Sequence, residues 1–101
     1  MFIYNITIKV NNAIQDEWMQ WQQEVHIPEI MLTGLFERYQ VFRLLDQDDA
    51  EGPTFIFQFH TASEENYRRY LREFAPGLRE EAFEKWGPGF IAFRSLLRSV
   101  Q

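Results

Sequence analysis

Residues 2–10, FIYNITIKV, alternate without a break. Phe2, Tyr4, Ile6, Ile8 and Val10 fall on one side, and Ile3, Asn5, Thr7 and Lys9 on the other. Strand side chains point alternately to opposite faces, so this is a strand with one strongly apolar face. Such a strand needs both pairing partners and a layer to cover it. Two later segments repeat the pattern. Residues 54–61 place Phe55, Phe57 and Phe59 opposite Ile56, Gln58 and His60, and residues 90–98 place Phe90, Ala92 and Leu96 opposite Ile91, Phe93 and Leu97. Residues 35–45 read as a strand with apolar groups on both faces, Phe36, Phe42 and Leu44 against Tyr39, Val41 and Leu45. The acidic, turn-rich stretch Asp46–Pro53 reads as the hairpin loop that follows it.

Between the strands the period changes. Asn11 and Asn12 make a turn or N-cap, and Ala13 to His26 is an amphipathic helix. Its face carries Ile14, Trp18, Trp21 and Val25, each about one turn from the next. Pro28 cannot continue that helix without clashing with the carbonyl of Glu24, so a kink or a fresh turn is expected there. Thr33-Gly34 closes it, with Gly34 as a left-handed cap. Thr61 and Ser63 are both candidate N-caps for the second helix, and Thr61-x-x-Glu64 has capping-box spacing. Tyr67, Tyr70, Leu71 and Phe74 then form its apolar stripe. Ala75-Pro76-Gly77 interrupts, Pro76 opens a further helix reaching Trp86, and Gly87-Pro88-Gly89 stops it.

The order is β-α-β-β-α-β: an α+β, ferredoxin-like single domain over residues 1–101. Right-handed crossovers put both helical layers on one face of a four-stranded antiparallel sheet. In a monomer the other face would be polar. Here it offers large apolar groups, and aromatics make up 17% of the chain, so we expect a homodimer joined through that sheet face. A net charge of −5 argues against nucleic acid as a partner. The chain has no cysteine, which excludes disulfides and thiolate chemistry and fits a reducing, cytoplasmic setting. The amino-terminal strand has no basic stretch before its apolar residues, so it does not read as a signal peptide. No apolar run approaches the roughly 20 residues a membrane span needs.

This order of elements, with its two-faced strands, resembles the dimeric α/β-barrel superfamily across the whole chain. More narrowly, Trp18-x-x-Trp21, His26-Ile-Pro-Glu29 and Thr33-Gly34-Leu-Phe36, with Phe90-Ile-Ala-Phe93-Arg94 near the carboxyl end, resemble a family of short bacterial proteins of unknown function. The superfamily resemblance implies a pocket between sheet and helices in each subunit. Its members include cofactor-free quinone-forming monooxygenases, haem-degrading enzymes, lactone isomerases and proteins with no assigned role. The haem degraders combine a first-strand Asn, a Trp and a second-helix His. Asn5 and the tryptophans fit that set, but residues 63–86 contain no His, so the axial ligand of a haem binder, a further reading, would have to come from elsewhere; no cofactor is expected.

His26 is the leading candidate for chemistry: near neutral pH an imidazole can give or take a proton. It could instead cap helix carbonyls, where the dipole favours it. Glu29, three residues on, either pairs with His26 or favours the first turn of a new helix. Trp18, Trp21, Tyr67 and Tyr70 could wall an aromatic ligand, and equally could be core. His60 reads as a strand-end surface group. Two histidines and one nearby carboxylate are too few for a metal site. Asp46, Asp48, Asp49 and Glu51 depart from the calcium-loop spacing and read as a solvated loop. Arg38, Arg43, Arg94 and Arg98 lie on strands and could pair across a dimer or hold an anionic ligand group. Two readings stay open. One is a protein that binds a small apolar or aromatic molecule in the cleft, with proton-transfer or cofactor-free oxygenase chemistry. The other is a non-catalytic dimerisation or regulatory module whose cleft is packed solid.

Overall fold

The computed structural model describes residues 1–101. Four strands, β1 (Phe2–Val10), β2 (Arg38–Arg43), β3 (Thr54–Thr61) and β4 (Phe90–Arg98), form one sheet in the order β2-β3-β1-β4. Every neighbouring pair is antiparallel. β1 is therefore central, and its alternation decides the layering. Tyr4, Ile6, Ile8 and Val10 are buried beneath the helices. Register carries the same parity outwards: Ile6 pairs with Phe57 and Arg94, and Ile8 with Phe55 and Ala92. The four-stranded antiparallel sheet with its helices is the expected ferredoxin-like β-α-β-β-α-β arrangement.

The first helix differs from expectation. It runs from Gln15 to Leu32 without a break, as α1 (Gln15–Trp21), a π-helical stretch (Gln22–His26) and α2 (Ile27–Leu32). Pro28 does not end it. The Ile27 N–H donates to the carbonyl of Gln22, five residues back, and this wider turn opens the ladder where Pro28 has no N–H to give. The fresh α-helical turn then carries Pro28 in its first two positions, where proline is tolerated. The helix closes as the sequence suggested: Gly34 takes φ +75° and donates to Met31, while the Thr33 hydroxyl donates to the Ile30 carbonyl.

β2 is shorter than residues 35–45. Leu35 and Phe36 precede it and turn into the core, where Phe36 packs on Tyr4 and Tyr70, so Phe36 does not share a face with Phe42. α3 (Glu64–Glu73) is capped by Ser63, whose hydroxyl accepts from the Asn66 N–H at 3.1 Å, and not through a Thr61–Glu64 box. α4 (Ala75–Trp86) follows after Phe74. Gly52 is fixed by space: a Cβ there would lie 1.7 Å from the carbonyl oxygen of Val10, which pins the β2–β3 loop to β1. His60 is a further difference. It lies between Ile3 and Arg38 on the outer face, 4% exposed, because β3 is an interior strand flanked on both sides.

Candidate active site in the sheet–helix cleft

A cavity of about 40 Å³ lies between the inner face of the sheet and the helices. Its floor is Ile6 and Ile8 from β1, Phe57 and Phe59 from β3, and Phe90, Ala92 and Arg94 from β4. Its roof is Gln22, His26 and Ile30 from the first helix, with Arg79 and Ala82 from α4. The space exists because two alanines stand where larger residues would meet: Ala92, opposite Ile8 on the edge strand, and Ala82 on α4.

His26 is brought to this wall by the π turn. Five residues along an α-helix would leave it about 140° around the axis from Trp21. The wider turn stacks the two rings instead, centroids 4.7 Å apart and planes 24° apart. Trp21 in turn meets Trp86 edge to face at 6.0 Å. The Nδ1 of His26 is sealed from water with no hydrogen-bond partner, which leaves Nε2 as the accessible nitrogen. Burial, reinforced by the Arg94 charge, holds the His26 pKa down at about 4, so the ring is neutral near pH 7. It is no helix cap: it lies inside a continuous helix.

The other polar groups of the cavity are Gln22, Arg79 and Arg94. Gln22 is 4% exposed. Arg79 donates from Nη2 to the Tyr4 hydroxyl at 2.9 Å, spanning α4 to β1. Neither arginine has a carboxylate partner; the chain's ion pairs are Arg43–Asp49, Arg68–Glu64 and Arg69–Glu73.

Of the candidate site residues named from sequence, His26 and Arg94 line this cavity. Trp21 backs its ring. Trp18 is fully buried between Phe55 and Phe57. Tyr67 and Tyr70 pack on Tyr4 in the core, with centroids 5.7 and 5.6 Å away. Burial and the neighbouring Tyr4 push the Tyr70 hydroxyl well above the usual tyrosine range, so it keeps its proton. Glu29 does not meet His26. It faces a separate shallow groove with Leu32, Thr33, Phe74 and Leu78, where burial and then Glu81 raise its pKa. Asn5 lies on the opposite face of the sheet and accepts from the Gln58 amide at 3.1 Å.

Gln22 and Arg79 were not singled out, and Arg94 was one of four strand arginines. The signals were present. Arg94 has the inward parity of Phe90, Ala92 and Leu96 on β4, a charge among helix-facing positions. Arg79 stands one turn after Ala75 and three residues before Ala82, on the buried stripe of α4. Gln22 is one turn after Trp18.

No curated protein matches the chain. Solved structures share its fold. A dimeric ferredoxin-like protein from an uncultured marine organism superposes with TM-score 0.74 at 10% identity, covering 99% of this chain and 95% of that one. SnoaB, a cofactor-independent oxygenase from Streptomyces nogalater, gives TM-score 0.70 at 14% identity, covering 99% and 94%. The ActVA-Orf6 monooxygenase from Streptomyces coelicolor, in complex with nanaomycin D, gives 0.62 at 18%, covering 99% and 89%. The family model described as a domain of unknown function, DUF4286, matches residues 1–100, and the chain belongs to that family.

Proposed function

We propose that this protein binds a small, mostly apolar or aromatic molecule in the sheet–helix cleft, and that His26 takes an acidic proton from it. One observation carries the reading: a neutral imidazole, unpartnered at Nδ1, stands in the wall of an apolar cavity beside two guanidinium groups. A neutral ring can accept a proton, and fixed cations favour the anion left behind. Such an anion is electron-rich enough to react with dioxygen. A phenol and one dioxygen would then give a quinone and one water, with no cofactor. Structural neighbours described as a cofactor-independent oxygenase and a monooxygenase support that finer reading. The cavity, about 40 Å³, is well short of the roughly 150 Å³ that accepts benzene. A ring must therefore enter by its edge or displace the helix that carries Gln22 and His26.

That same small volume favours the second reading, a packed, non-catalytic module. In both readings the protein works as a homodimer joined through the outer sheet face. Phe42, Ile91 and Phe93 stand exposed there, and a structural neighbour is described as dimeric.

The test is a calorimetric and oxygen-uptake screen of phenols, hydroquinones and aromatic acids against wild type and His26→Ala. The catalytic reading expects a ligand that stabilises both proteins and dioxygen consumption in wild type only. Equal consumption by His26→Ala removes His26 as the base. A well-folded dimer that responds to nothing establishes the packed module.

A further inference from the structure

Arg79 and Arg94 reach the cavity from opposite layers, one from α4 and one from β4. The chain has 15 acidic and 10 basic residues, yet no carboxylate answers either guanidinium. The Arg79 side chain's one hydrogen bond goes to the Tyr4 hydroxyl and not to a carboxylate. Against a net charge of −5, two unpaired cations at one cavity are a local inversion of sign. Guanidinium groups match carboxylate geometry through paired N–H donors. Behind them the lining is Ile, Phe and Ala, with Gln22, itself 4% exposed, as the other polar residue.

We infer that the occupant of this cleft is a small carboxylic acid, its carboxylate seated on Arg79 and Arg94 and its short branched or monocyclic apolar end directed into the cavity. This rests on the reading of the cleft as a ligand site and names the ligand's class. Gln22 supplies a further neutral donor. The site also couples binding to chemistry. Arg94 disfavours protonation of His26 while the site is empty, and a bound carboxylate offsets that charge and raises the proton affinity of the ring. His26 would then become a competent base only with an acid in place, next to the carbon that bears the carboxylate.

The test uses uniformly ¹⁵N-labelled full-length protein. The Nε–H signals of Arg79 and Arg94 are followed by NMR while isobutyrate, benzoate, their matched amides and inorganic phosphate are added. We expect the acids to shift both signals with Kd on the order of 1 mM, and the amides to bind at least about tenfold more weakly. Arg94→Gln and Arg79→Gln should each weaken acid binding by about fivefold to tenfold, with spectra that stay dispersed. Arg94→Lys, which keeps the charge without the fork, should fall between wild type and Arg94→Gln. Amides that bind as tightly as acids would overturn the carboxylate and leave the cleft reading standing. Acid binding unchanged in both Gln variants would overturn it too. Phosphate binding as tight as benzoate would overturn the apolar end. No binding by acids or amides would remove both this inference and the reading beneath it.

Discussion

His26 lies almost flat against Trp21, ring centroids 4.7 Å apart, and it is there because a π turn replaces an α turn between them. The stacking buries the imidazole, and burial together with Arg94 sets its pKa at about 4. In the unfolded chain a histidine titrates near 6.5. Between those values the unfolded state binds the extra proton and the folded state does not, so acid favours unfolding. Stability is complete above about pH 6.5 and falls as pH drops towards 4. The loss attributable to His26 is on the order of 2 kcal/mol, allowing for solvent at a partly open site. Urea melts of wild type and His26→Gln from neutral pH to pH 4 will show it. The two curves should diverge through that window, and parallel curves would mean an unperturbed ring.

The π turn itself can be tested by removing its extra residue. Gln23 is exposed, and its deletion lets the helix run as a regular α-helix with its flanks in register. Pro28 then regains the clash with the carbonyl four residues before it, which the wide turn now avoids. We expect the deletion to cost about 3 kcal/mol and Pro28→Ala to restore most of that in the deleted background. Pro28→Ala alone should change stability by under about 1 kcal/mol. A deletion that costs the same with and without Pro28 would show that the proline does not determine the turn.

Much of this fold was legible as period. β1, β3 and β4 span the alternating residues of the sequence, since each has one face that must be buried. What was not legible depends on distant contacts. Phe36 looks like a strand residue by alternation, but the hole beside Tyr4 and Tyr70 draws it into the core. The π turn follows from tertiary packing of a helix that carries Pro28 yet must keep burying Ile27 and Ile30. The candidate site was half legible. His26 stood out by chemistry, whereas Arg79, Arg94 and Gln22 are ordinary polar residues whose meaning comes from facing inward. Glu29, adjacent in sequence, points to another groove.

The alanines that open the cavity offer a way to close it. Ala92 lies on β4, where a β-branched residue suits the strand, and faces the space opposite Ile8. Ala92→Val adds two methyl groups to about 40 Å³ of room. We expect a change in stability within about 1 kcal/mol in either direction and loss of any ligand-induced thermal shift. A variant that binds ligand as well as wild type does would place the binding site elsewhere.

The outer face of the sheet is organised in rows. Gln40, Gln58, Asn5 and Ser95 cross it in one line, and Phe42, Ile56, Thr7 and Phe93 in the next. On the other side of the polar row lie Arg38, His60, Ile3 and Leu97. Phe93 is 68% and Ile91 59% exposed, a large apolar area to leave in water. Both ring nitrogens of His60 are buried there without a partner, and burial with the Arg38 charge lowers its pKa. A second sheet laid across this face would cover Phe93 and Ile91 and set polar row against polar row, with room for the roughly 800 Å² per partner of a stable dimer. Phe93→Glu would put two carboxylates into that interface. We expect wild type to sediment as a dimer at micromolar concentration and Phe93→Glu as a folded monomer. Phe83→Glu, on the exposed side of α4, is the control: it removes an equally exposed Phe and should leave the dimer unchanged. A monomeric wild type, or loss of the dimer in Phe83→Glu alone, would move the interface away from the sheet.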